Sequence, residues 1–374
     1  MKRSGITGLA RRAAEEWFLG ISLATCALFA LIGARLFAHL AEPAWFAVTF
    51  LWLFCVMLGS ALAVVRHADR IAEMLGEPYG TLVLTLSVTA IEVMSISAVM
   101  LHGDNNPTLV RDTLYAIVMI ILGGVVGSAL LLGGWRHREQ HYNLQGANAY
   151  LGVIIPLVVL TLTLPNYTVT TPGPTLSLAQ QMFLLVVAAG LYVAFLAVQT
   201  GRHRAFFTGD AIDGIAPPEP SHAAASPYVH AALLVAYILP VVFLAEQMAR
   251  PIDHLIETLQ LPTLLGGLII AILVATPEAI SAIRAAMANR LQRSINISLG
   301  SVLSTTGMTV PVMLVVSHLT GHEIYFGLSG ANDVILVLTL AVSVVTFASG
   351  RTNALQGAVH VILFAAFVML IVQD

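Results

Sequence analysis

Eleven apolar runs, each close to 20 residues long, constrain this 374-residue chain more than any motif in it. About 20 apolar residues are what an α-helix needs to cross the hydrocarbon of a bilayer. The runs fall at 17–38, 44–65, 80–101, 113–134, 148–165, 178–200, 229–249, 262–284, 294–318, 330–349 and 354–372. Inside a bilayer no water satisfies backbone N–H and C=O groups, so each spanning run must be a helix. The fold class is therefore all-α: a polytopic membrane protein of about 11 transmembrane helices. Composition agrees, with 58% hydrophobic and only 10% charged residues, where a soluble domain carries about 25% charged. A net charge of -3 supplies no basic surface for nucleic acid.

Two runs are less clean than the rest. The fifth is short, and the ninth is rich in Ser and Thr. The first follows Arg11 and Arg12 as a signal peptide would. Its apolar stretch, Trp17 to Ala34, is long for a signal sequence, and AHLA at 38–41 lacks the small-x-small cleavage pattern, so it reads as a retained span. Cys26 and Cys55 sit inside apolar runs without ligand-like neighbours and read as packing residues.

The basic residues orient the chain. With the N-terminus in the cytoplasm and the runs alternating, 14 of the 17 Lys and Arg residues lie inside, and only Arg35, Arg111 and Arg250 lie outside. That is the bias of the positive-inside rule. It predicts an inner-membrane protein with a cytoplasmic N-terminus and an external C-terminus, in contact with membrane lipid. Residues 201–228 are polar and hold Pro217, Pro218, Pro220 and Pro227, so they read as a cytoplasmic linker. The predicted organisation is 1–43 (cytoplasmic N-terminus and first helix), 44–200 (first five-helix repeat), 201–228 (linker) and 229–374 (second five-helix repeat). Five is odd, so the repeats enter the membrane from opposite sides. Inverted repeats of this kind hold their substrate at the midplane.

Two glutamates mark that midplane. GTLVLTLSVTAIEVMS runs from Gly80 to Ser95, and GGLIIAILVATPEAIS from Gly266 to Ser281. When Gly80 is set on Gly266, Glu92 falls on Glu278, and Leu82, Val88 and Ser95 fall on Leu268, Val274 and Ser281. A carboxylate at this depth costs on the order of 3 kcal/mol or more. The bland reading is an ion pair with a basic residue on another helix. No Lys or Arg lies inside any run except Arg35 and Arg284 near ends. The pair therefore reads as a cavity-facing cation site. Pro277 predicts a broken helix that frees a carbonyl beside Glu278, and Thr276 adds a hydroxyl. In the first repeat Thr85 and Thr89, at i−7 and i−3, share the face of Glu92. Carboxylate, carbonyl and hydroxyl oxygens together suit Ca2+ or Na+.

The fourth and ninth runs each carry a Gly-Ser pair, Gly127-Ser128 and Gly300-Ser301. The glycines read as close-packing points. Ser128, Ser301 and Ser304, with Thr305 and Thr306, are open to two readings: lining the ion pathway, or bonding their own helix backbone.

Other constellations are weaker. His137 and His141 lie one turn apart, but Arg138 stands where a metalloprotease needs Glu, so the stretch reads as a basic loop. His318, His322 and Glu323, near the outer end of the ninth run, read first as wet loop residues, with proton relay or cation attraction as the alternative. Glu73 and Glu77 read first as a solvated face, with a funnel for cytosolic cations as the alternative, and Glu246, Asp253 and Glu257 flank an outer loop, with an exit vestibule as their alternative.

GEPYGTLVLTLSVTAIEV (Gly76 to Val93) and ATPEAISAIRAAMANRLQRSINISLGSVLSTTGMTVP (Ala275 to Pro311) resemble the two signature repeats of bacterial ChaA-type calcium/proton antiporters. These belong to the cation/proton exchanger family of the Ca2+:cation antiporter superfamily. The resemblance covers nearly the whole chain, including the one-plus-five-plus-five layout. It implies export of Ca2+ against entry of H+, with Na+ or K+ as alternative cations, and it carries the family's paired acids onto Glu92 and Glu278. Many relatives have Asn three residues before each acid; here those positions are Thr89 and Ala275. A Gln common in relatives is Ser304 here. The linker keeps only Asp210, Asp213 and Glu219 of the acidic helix that many relatives have.

A secondary antiporter is thus the leading class. No cofactor is expected, since the cation is cargo, and no GxxxxGK loop for ATP is present. The rival is an intramembrane enzyme. That would need a membrane-depth dyad or metal cluster, and His360 in the last run is the only candidate, with no evident partner.

Overall fold

The structure, a computed structural model, describes residues 16–75, 79–102, 106–201, 203–207, 226–328 and 330–373. Its elements are helices apart from two three-residue strands. In chain order they are α1 (Trp17–Phe37), α2 (Pro43–Leu75), α3 (Tyr79–Met100), α4 (Leu109–His137), α5 (Leu144–Tyr167), α6 (Leu178–Thr200), α7 (Pro227–Thr258), α8 (Leu264–Met287), α9 (Leu291–Thr320), α10 (Gly330–Thr346) and α11 (Ala354–Gln373). Among the described residues ten helices are long and apolar enough to cross a membrane, and α10 is an apolar helix just short of that length. All eleven predicted runs are helical. The short fifth run gains a turn at its start, where Asn143 caps it, its Oδ1 accepting from the N–H groups of Gln145 and Gly146 at 2.9 and 3.3 Å.

α4 and α9 are the most enclosed spans. At the other extreme, α1, α6 and α11 leave Leu31, Val186, Val345 of neighbouring α10, and Ile362 exposed, as lipid-facing side chains are. Close backbone approaches hold the interior. At Gly267 of α8 an added Cβ would lie 2.5 Å from the Asp112 carbonyl carbon and the Thr113 nitrogen of α4. Gly127 of α4 sits against α11, where a Cβ would lie 2.8 Å from the Val361 nitrogen. Gly300, expected to be a packing point as well, has no neighbour nearer than 3.7 Å, so it is small without being crowded.

The helices are not uniformly α. Tightly wound spans are interrupted by π segments at Met119–Val125 in α4, Val159–Thr163 in α5, His254–Thr258 in α7 and Thr305–Thr309 in α9. By contrast α8 runs unbroken through Pro277. The sequence predicted a break there. The structure shows Thr276 Oγ1 donating to the Ile272 carbonyl at 2.5 Å, and Pro277 buried. One missing N–H does not open a helix that is packed on both sides of the gap. At one end of the bundle β1 (Glu139–His141) and β2 (Arg351–Asn353) pair antiparallel, tying the α4–α5 loop to the α10–α11 loop.

Candidate cation site

Three helices build the site. α3 carries Glu92, α8 carries Glu278, and α9 passes both. Ser301 and Thr305 of α9 are four residues apart and so share one helix face. Ser301 Oγ donates a short hydrogen bond to Glu278 Oε2. Thr305 Oγ1 donates to Glu92 Oε2 at 2.7 Å. One face of one helix thereby holds a carboxyl from each half of the chain, and the two carboxyls lie close enough to feel each other's charge.

Glu92 is buried, and its second oxygen, Oε1, has no hydrogen-bond partner. Glu278 keeps partial exposure. The hydroxyls of Thr89 and Ser95, three residues either side of Glu92, are also buried without partners. Thr309 lies one turn beyond Thr305, its hydroxyl near the same carboxyl but outside hydrogen-bond geometry. Arg111, an arginine on a spanning helix, is committed to Asp112 at 2.8 Å and to the Gly327 carbonyl at 2.9 Å. A buried carboxylate with an open oxygen and no cationic side chain is unstable until a proton or a cation joins it.

The remaining predicted site residues divide. Thr89 is buried beside Glu92 as the helix spacing required. Thr85 is half-buried two turns nearer the start of α3 and hydrogen-bonds neither carboxyl among the described residues. Thr276 spends its hydroxyl on its own helix. Ala275 is buried and offers only its backbone carbonyl as an oxygen. Ser304 donates back to the Ser301 carbonyl at 2.9 Å and so steadies the Ser301 turn. Ser128 is half-buried on α4, next to the Gly127 contact with α11, and reaches neither glutamate. Of the α9 hydroxyls open to both readings, Thr305 reaches a carboxyl, while Thr306 bonds its own helix by donating to the Val302 carbonyl at 2.9 Å; Thr309 carries no signal in the sequence, because nothing in α9 alone says which of its turns faces α3.

The π segments explain why Ser128 is displaced. The one in α4 begins at Met119 and the one in α9 at Thr305, each 27 residues after its glutamate. In that register the counterpart of Thr305 is Met119, and the counterpart of Ser301 is Tyr115, not Ser128. Met119 is buried and apolar, and the Tyr115 hydroxyl turns away to Asn332 Oδ1 at 3.2 Å. The matching Gly-Ser pairs are thus not equivalent positions. Among the described residues, the hydroxyls that hydrogen-bond the two carboxyls come from the second repeat alone. π bulges recur at functional sites because they shift one turn of side chains off the regular helical face.

His360 is fully buried, and its Nε2 meets Thr346 Oγ1 at 3.0 Å. His137 Nε2 contacts the Met287 carbonyl at 2.9 Å as a loop tie. Among the described residues no group of three His, Cys, Asp or Glu side chains could hold a metal ion. Asp210, Asp213 and Glu219 lie outside the described residues, as does Glu77.

Known proteins resemble this chain in sequence and in fold. The profile of the sodium/calcium exchanger protein family matches residues 45–201 and 229–373. The sodium-potassium/proton antiporter ChaA of Escherichia coli K12 is 39% identical over 318 residues, covering 84% of this chain and 86% of that protein. The putative ionic transporter y4hA of Sinorhizobium fredii is 41% identical over 342 residues, covering 91% and 92%. Among solved structures, native YfkE superposes with a TM-score of 0.71 at 18% identity, over 94% of this chain and 99% of that one. The chain belongs to the sodium/calcium exchanger protein family.

Proposed function

We propose that this chain is a secondary cation/proton antiporter whose coupling groups are Glu92 and Glu278. The observation that carries the reading is the pair of carboxyls, one from each half, held on the Ser301–Thr305 face of α9 with no Lys or Arg partner. Ionised, the two groups bind a cation with the hydroxyl and carbonyl oxygens around them. Protonated, they are neutral and need none. One pair of groups thus carries either load, and the loads exclude each other, which couples the two fluxes.

Ca2+ leaving the cytoplasm in exchange for H+ is the first reading, since two full negative charges compensate a divalent ion. Na+ or K+ in exchange for H+ is the second. It is favoured by a ligand set of hydroxyls rather than further carboxylates, and by the likeness to the sodium-potassium/proton antiporter of Escherichia coli. The protein sits in an inner membrane with its N-terminus and linker cytoplasmic, as the distribution of basic residues supports. The test is cation flux into reconstituted vesicles under an imposed pH gradient, comparing Ca2+, Na+ and K+. Flux of one or more cations that collapses the gradient is expected. Flux that leaves the pH gradient untouched would overturn proton coupling.

A further inference from the structure

Away from the carboxylates, a cavity of about 450 Å3 lies over the far ends of α3 and α9, lined by Met100, Asn106, Thr320, His322, Glu323 and Tyr325 among others. The loops that leave these two helices close on each other. The Tyr325 N–H donates to the Pro107 carbonyl at 2.9 Å, and Arg111 Nη1 to the Gly327 carbonyl at 2.9 Å. Oxygen-bearing side chains line the cavity: the exposed Glu323 carboxylate, the Tyr325 hydroxyl that donates to it at 3.5 Å, the Asn106 amide, whose Oδ1 accepts from Thr108 Oγ1 at 3.2 Å, and the Thr320 hydroxyl, which donates to the Val316 carbonyl at 2.8 Å. His322 Nδ1 lies 3.1 Å from Thr320 Oγ1. Arg111, which holds the Gly327 carbonyl, is also occupied by Asp112. No Lys or Arg among the described residues pairs with Glu323.

The cavity stands on the same helix pair as the carboxylate site. Glu92 is eight residues before Met100, about 12 Å along α3. Between them Ser97 Oγ meets Met313 Sδ of α9 at 3.5 Å, and the buried Met313 plugs the seam. At the corresponding place on the opposite membrane face, side chains tie the ends of α8 and α4 together. There Gln140 Nε2 donates to the Ala286 carbonyl at 2.8 Å and to Asn289 Oδ1 at 3.0 Å, and the Gln140 side chain presses on Gly133. Of two related ends, one is tied by side-chain hydrogen bonds and the other is an open bowl in which Glu323 is the carboxylate among the described lining residues.

We propose that this cavity is a docking site for the transported cation on the outer face, with Glu323 as its charged ligand and the Ser97–Met313 contact as the plug between it and Glu92. The inference rests on the antiporter reading. A single carboxylate among neutral oxygens binds hydrated Na+ or Ca2+ weakly, which suits a place where ions must be both gathered and released.

The test uses Tb3+, a hard-cation probe whose emission a neighbouring tyrosine sensitises, on the full-length chain carrying Glu92→Gln and Glu278→Gln. Tyrosine-sensitised emission that Ca2+ displaces is expected. Adding Glu323→Gln should weaken Tb3+ binding about tenfold or more, because the one charged ligand is lost. Tyr325→Phe should remove the emission and so assign it to this cavity rather than to the Tyr237–Glu16 pair. Emission indifferent to both changes overturns the docking site. The unsubstituted chain, in reconstituted vesicles, should exchange. A chain that exchanges but shows no Glu323-dependent emission overturns only the docking site. A chain that binds Tb3+ through Glu323 yet exchanges nothing overturns the antiporter reading.

Discussion

Thr305 Oγ1 donates to Glu92 Oε2 at 2.7 Å, across 213 residues of sequence. Ser301, one turn earlier on the same helix, holds Glu278. The second repeat therefore grips the acid of the first repeat as well as its own, and the first repeat returns nothing equivalent, because Tyr115 and Met119 stand in the matching places. Any inequality between the two carboxyls in transport follows from this one-sided grip.

Glu92→Gln and Glu278→Gln should each abolish exchange while the protein still purifies as a folded species. Gln keeps the size and the hydrogen bond but cannot ionise or give up a proton. The check is proton and cation flux in reconstituted vesicles, with size-exclusion behaviour as the folding control. Near wild-type exchange by either variant removes that residue from the coupling site.

Thr305→Val should weaken cation binding, and Thr305→Ser should restore most of it. A hydrogen bond to a charged group contributes about 1.5–3 kcal/mol, so the loss is about tenfold to a hundredfold in affinity. Ser304→Ala, which removes only a bond within α9, should cost less. Calorimetric titration with the transported cation would rank the three; equal losses for Thr305→Val and Ser304→Ala would contradict the assigned contact.

Apparent cation affinity should strengthen as pH rises. The cation needs ionised carboxyls, and protons compete for the same oxygens, so binding releases protons and weakens wherever protonated carboxyls dominate. The measurement is initial rate against cation concentration at several symmetric pH values between about 6 and 8. An affinity that stays flat over that range would place the proton elsewhere.

Gly267→Ala should destabilise the protein without touching the site. Its Cβ would lie 2.5 Å from backbone atoms of Asp112 and Thr113, and backbone cannot rotate away as a side chain can. Overpacking of this kind costs about 1–3 kcal/mol. A lower thermal unfolding midpoint in detergent is the expected result, against an unchanged midpoint for Gly300→Ala, where space remains.

A cysteine replacing Ser221 should label from the cytoplasmic face and not from the outside. Fourteen of the seventeen basic residues put the linker there. Strong labelling by an impermeant reagent added outside intact cells would reverse the orientation and, with it, the outer assignment of the Glu323 cavity.

The sequence by itself determined the helical class, the eleven runs and the pairing of Glu92 with Glu278. Each of these rests on a local cost. Twenty apolar residues have no other stable state in lipid, and two unpaired acids at matching depth have no cheap explanation. Tertiary structure decided the rest. Ser128 looked equivalent to Ser301 because both follow glycine, yet the π segments set a register in which it faces α11 instead. Pro277 looked like a break, yet packing and the Thr276 hydroxyl carry α8 through it. Thr305 looked like one hydroxyl among several, and only the docking of α9 against α3 made it a ligand of Glu92. Which side of a helix meets which neighbour depends on contacts between residues far apart in the chain, and no local pattern encodes those.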